Sequence, residues 1–174
     1  MKKWIGRLVL IVLLALLSML VPAQVFAQTT VDVTVNATPA YVGITVSPTG
    51  YGFGTVGVST TPSTTTSYFT IANTSSVVTN QTISVTTATW AGGVTWTHSD
   101  TATPGVDTVG LKANKGGTWG AGDVIVKYNT PNKLAENQAA TTDYSFGLKM
   151  WAPTEFGDGV LKTVTVRVIA TYGS

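Results

Sequence analysis

The 174-residue chain has no cysteine, one histidine and only two glutamates. Without cysteine there is no disulfide, no thiolate metal ligand and no attachment point for a lipoprotein lipid. A single histidine, His98, removes every metal site built on paired imidazoles. Charged residues are 10% of the chain, and they form no basic stripe of the kind nucleic-acid binding needs. Past the N-terminus no window sustains helical periodicity. The eight Asp and Glu residues are scattered, with no Asp-x-Asp-x-Asp run suited to a calcium loop. The Gly-rich stretch from Lys112 to Asp123 opens onto a strand pattern and not onto a helix, so it reads as a hairpin loop and not as a phosphate cradle.

Long apolar runs are also scarce. The one that exists is Leu8 to Val21, broken by Ser18, preceded by Lys2, Lys3 and Arg7 and followed by Pro22 and Val25-Phe26-Ala27. This pattern reads as a secretory signal peptide over 1–27, cleaved after Ala27. A retained anchor from Trp4 to Phe26 would be long enough to span a bilayer, but the helix-breaking Pro22 favours cleavage. The formal charge of +2 belongs to this leader, since residues 28–174 hold seven Lys and Arg against eight Asp and Glu. The expected location is secreted or cell-surface, with no nucleic-acid partner, no cofactor and no membrane association after cleavage.

What is abundant is Thr, Gly and Val. β-branched residues suit a pleated, half-buried surface, so residues 28–174 read as a single all-β domain, an antiparallel β-sandwich preceded by the signal-peptide helix. From Ile44 to Val85 four strands are expected, through Ile44 and Val46, through Phe53 and Val56 to Val58, through Phe69 and Ile71, and through Ile83 and Val85. Trp90 and Trp96 flank Gly92-Gly93 as a hairpin. Strands follow at Asp107–Ala113, Val124–Tyr128, Asp143–Met150 and Val160–Ala170, with 129–142 as polar linker plugged by Leu134.

Within this half-sandwich, Tyr51-Gly52-Phe53-Gly54-Thr55-Val56-Gly57-Val58, followed by Tyr68-Phe69-Thr70-Ile71-Ala72-Asn73-Thr74, resembles immunoglobulin-like domains of the abnormal-spindle/hydin type. The resemblance implies an immunoglobulin-like topology, a strand beginning at the Phe-Gly pair and a later strand ending in the Asn-Thr turn. It also implies a non-catalytic module of the sort found in prokaryotic secreted or surface proteins.

Candidate sites are few. Thr29 to Asn36 alternates Val31, Val33 and Val35 with polar residues and ends before Pro39, so 28–38 is a candidate exchangeable strand, against an edge strand of its own sandwich. Trp90, Trp96, Trp119 and Trp151 are candidates for stacking on sugar rings, against ordinary core or pair packing. Asn36, Asn73 and Asn80 head glycosylation sequons. His98-Ser99-Asp100 is refused as a catalytic relay, because neighbours on a strand point to opposite faces. No catalytic or metal-ligating residue is proposed, and no enzyme is expected. Two function classes remain: a structural subunit or accessory of an S-layer, sheath or filament, which would self-associate or bind other surface proteins, and a carbohydrate-binding or adhesion module that takes polysaccharide.

Overall fold

The computed structural model describes residues 34–115, 117–120 and 122–173. The leader, with its cleavage site, and two of the candidate exchange residues, Val31 and Val33, lie outside the described residues. The described residues from Thr38 onward form one compact unit.

The described chain is all-β with no helix. Its strands in order are β1 (Ile44–Ser47), β2 (Phe69–Asn73), β3 (Thr79–Val85), β4 (Thr89–Trp90), β5 (Trp96–Ser99), β6 (Thr108–Ala113), β7 (Val124–Ile125), β8 (Lys127–Tyr128), β9 (Asn132–Gln138), β10 (Asp143–Phe146), β11 (Leu148–Trp151) and β12 (Val166–Tyr172). They form three ladders. One runs β1-β2-β10, a second runs β11-β6-β5-β4 with β7 on β6, and in the third β3 lies between β12 and the pair β8 and β9. Most pairings are antiparallel, but β5 pairs β6 and β3 pairs β8 in parallel.

One apolar core joins the three ladders, with Phe69, Ile71, Ile83, Val85, Leu111 and Phe146 among its members. Alternation explains how each strand contributes. Phe69, Ile71 and Asn73 are buried on β2 while Thr70 and Ala72 between them are less so. β3 departs from this alternation at its end, where Ile83, Ser84 and Val85 are all buried. Gln81, on the same strand, is fully buried with neither amide atom hydrogen-bonded among the described residues.

β10 passes into β11 across Gly147, where the strand changes ladders. A side chain there would meet the Thr65 carbonyl oxygen at 2.3 Å, so the crossover needs glycine. Buried Asn114 fixes this point: its Oδ1 accepts from the Gly147 amide at 2.5 Å, and its own amide donates to the Gly147 carbonyl at 3.2 Å. The outer edge of β11 is covered by the chain from Thr60 to Thr64, which exchanges backbone hydrogen bonds with Leu148, Met150 and Ala152.

Several expected strands are corrected. Residues 51–58 form no strand: Gly54 and Ser59 take positive φ, of 69° and 54°, and no ladder partner flanks them. Phe53, which the resemblance places at a strand start, lies in this irregular chain and packs on the core with Val56. The expected linker 129–142 contains β9, with Leu134 and Ala135 buried. Bulges around Gln81 shift the β3–β9 register and break the period of two that a strand would show in the sequence. The Val124–Tyr128 segment splits at Val126 into β7 and β8, which pair different strands. The last strand begins at Val166, not Val160. Thr34 to Ala40 belongs to no strand, and Val35 is 85% exposed.

Candidate functional site

β1 and β12 are the end strands of their ladders, each paired on one edge only among the described residues. A groove with a volume of about 990 Å3 reaches β1 at Val46 and β12 at Val166 and Val168. One lip is the chain from Val46 to Val56, the other runs from Asp158 to Val168, and the floor is the core itself: Phe69, Leu111, Phe146, Leu148, Met150 and the Trp90–Trp96 pair.

Aromatic contacts hold the first lip in place of a ladder. Tyr51 packs edge-on to Phe53 at 5.0 Å and to Tyr68 at 4.8 Å, Tyr68 packs edge-on to Phe69, and Phe69 stacks on Phe146 at 5.1 Å. Such edge-to-face and offset geometries are the favoured ones for rings carrying a quadrupole. The chain therefore stays near the core without backbone pairing.

The second lip is clipped by charge. Lys162 Nζ donates to Asp158 Oδ1 and to the Gly92 carbonyl, each at 2.5 Å. Asp158 also accepts from the amides of Val94 and Val160. The Lys162 hydrogen bond and the Val94 amide hold the Asp158 carboxyl below its ordinary range. The Gly92-Gly93 turn exists to let this lip approach: a side chain on Gly92 would fall 2.0 Å from the Leu161 carbonyl oxygen, and one on Gly93 2.0 Å from Asp158 Oδ2. Phe156 adds a ring stacked on Trp96 at 5.3 Å.

Among the described residues, Asp158 and Lys162 are the only lining residues charged at neutral pH, and they pair with each other. What the groove offers is therefore apolar contact, together with the backbone N–H and C=O groups on the outer edges of β1 and β12. Ile44, Val46, Val164, Val166 and Val168 are only partly buried against the core.

The residues singled out in the sequence fall in different places. Trp90 and Trp96 face each other in register across β4 and β5, buried, with ring centroids 6.2 Å apart. They are packed as a pair in the groove floor, with no open indole face on the surface. Trp119 and Trp151 are half-buried, and Lys149 Nζ lies over both rings, 4.5 Å from the centroid of Trp119 and 5.8 Å from that of Trp151. Lys112 lies over Trp151 as well, at 4.9 Å. These lysines occupy the ring faces that a sugar would use.

His98 is buried, and its Nε2 meets the Val126 carbonyl at 2.7 Å, so that nitrogen carries the proton. Burial holds the ring below its ordinary pKa, against the smaller raising effects of Val126 and Asp100. Ser99 Oγ is engaged with Thr101 and the Thr103 amide, and Asp100 receives the Tyr128 amide at 2.6 Å. Tyr144, whose hydroxyl donates to the Leu134 carbonyl, is pushed up to about 12 by desolvation.

The sequon asparagines separate clearly. Asn36 is exposed. Asn73 is buried, its Nδ2 donates to the Gln138 and Ala139 carbonyls, and its Oδ1 accepts from the Ser75 amide, which commits it to the turn after β2. Asn80 is half-buried and accepts from the Asn137 amide at 2.9 Å. No group of three or more His, Cys, Asp or Glu side chains comes together among the described residues.

Sequence reasoning missed the groove and its clip. Its signal was present only in part: Asp158 and Lys162 are four residues apart, but their backbone partners near Gly92 are some seventy positions away. Comparison with protein-family models, with curated proteins and with solved structures finds no match for this chain.

Proposed function

We propose that the chain is a secreted, non-catalytic structural protein built on an immunoglobulin-like β-sandwich, a subunit or accessory of an extracellular layer, sheath or filament. The observation that carries this reading is the groove. It is floored by core side chains, is bordered by end strands at Val46 and at Val166 and Val168, and holds one self-neutralised ion pair, a surface suited to packing against another chain. An exported fold without cysteine would draw its stability from such packing. The carbohydrate-binding reading draws less support, because Trp90 and Trp96 are buried and Lys149 and Lys112 cover faces of Trp119 and Trp151. The test is electron microscopy and light scattering of the chain beginning at Gln28, alongside glycan-array and polysaccharide pull-down assays. Regular polymers with blank glycan assays are expected. A protein that stays monomeric at every salt and concentration, and shifts on a glycan, would overturn the proposal.

A further inference from the structure

We infer that the groove that reaches β1 and β12 is the acceptor for one particular strand, Thr29–Asn36 of a second copy of this chain. The inference rests on the structural-subunit reading and names the partner of its groove.

The acceptor side supplies two kinds of complementarity. β1 and β12 each keep one edge without a ladder partner among the described residues, and the groove lining reaches β1 at Val46 and β12 at Val166 and Val168, so an extended segment lying in the groove adds a strand to a free edge. Beneath it, Phe69, Leu111, Phe146 and Met150 form an apolar floor, so one face of the incoming segment must be apolar. A strand presents such a face when every second residue is apolar.

The donor meets that requirement. Val31, Val33 and Val35 alternate with Asp32, Thr34 and Asn36, which puts three β-branched side chains on one face and polar groups on the other. The described end of this segment, Thr34–Asn36, lies outside every strand, and Val35 is 85% exposed and so free to be covered by a partner. Charge agrees as well. The apolar face is neutral, and the groove's only ionised groups are already paired with each other.

Insertion into another copy is head-to-tail: each chain gives one strand and takes one. A heterologous contact of this kind does not close on itself unless its rotation does, and it otherwise propagates a filament.

Cross-linking tests the assignment directly, because the chain contains no other cysteine. Val33→Cys is combined, in turn, with Val164→Cys, Val166→Cys or Val168→Cys in the chain beginning at Gln28. Three positions are used because a disulfide forms only when the paired Cβ atoms come within roughly 4.5 Å. At least one pair is expected to give a ladder of covalent multimers on a non-reducing gel, collapsing to monomer on reduction. A link formed only within single chains, or no link at any position in a protein that polymerises, overturns the inference. A second variant avoids the folded domain altogether: Val31→Asp, Val33→Asp and Val35→Asp together should abolish polymerisation while leaving the thermal melt of the monomer unchanged. If this variant polymerises as the parent does, strand donation fails while the structural-subunit reading stands. If the parent itself never polymerises, both fail.

Discussion

β3 and β12 are hydrogen-bonded to each other through seven registered pairs, Val85 opposite Val166 and Ile83 opposite Val168 among them, yet they end in different environments. Five of the seven β3 residues are buried, whereas none of the β12 residues is. The more polar strand, β3, is the more buried one, so hydrophobicity of the residues does not explain the difference. Position does: β3 is the central strand of its ladder, and β12 is an end strand whose Val166 and Val168 line the groove. One part of the fold is covered within the chain, and the other leaves Val166 and Val168 only partly buried.

The comparison is sharpened most by truncating both members of a register pair. Ile83→Ala removes a fully buried side chain from a closely packed position, and a loss of about 2–5 kcal/mol is expected from denaturant unfolding. Val168→Ala, directly opposite, should cost about 1 kcal/mol in the monomer, since a half-buried Val has gained only part of its transfer free energy. Equal losses at the two positions would break the distinction between the covered and the partly buried sides.

A smaller effect separates the two regions by pH. His98, on β5 away from the groove lips, has a folded pKa below its ordinary 6.5. The unfolded chain therefore binds a proton that the folded chain refuses, and stability should fall as pH drops below about 6.5 toward the lowered value. Asp158, in the groove lip, has a folded pKa below its ordinary 3.8. Its contribution is present above that range and lost only as pH falls through the lowered value. His98→Phe should flatten the slope between pH 7 and 5 without touching the more acidic limb, and Asp158→Asn should do the reverse. Melts across pH check both, and one variant altering both limbs would show that the two groups are not independent.

How much of this was legible in the sequence depended on local patterning. Strands with one buried face, such as β1 and β2, announced themselves through Ile44 and Val46 or Phe69 and Ile71. The Trp90–Trp96 hairpin was legible for the same reason, its Gly92-Gly93 turn lying between two aromatic residues. β9 was hidden because the bulge opposite Gln81 interrupts its alternation. The Phe53 to Val58 segment misled in the opposite direction, since Phe53 and Val56 pack on the core without any ladder and Val58 is exposed. The groove could not be read at all. It arises where β1 and β12, more than a hundred residues apart, become the ends of neighbouring ladders, and no local pattern encodes that meeting.

The central claim is that β1 and β12 are completed by a second copy, and backbone hydrogen exchange measures this most directly. Exchange would be followed residue by residue in the chain beginning at Gln28, as monomer and after assembly. Amides of β1 and β12 on the groove side are expected to exchange rapidly in the monomer and to become protected on assembly, with β3 protected equally in both. Assembly that leaves β1 and β12 exchanging as fast as in the monomer would contradict the account.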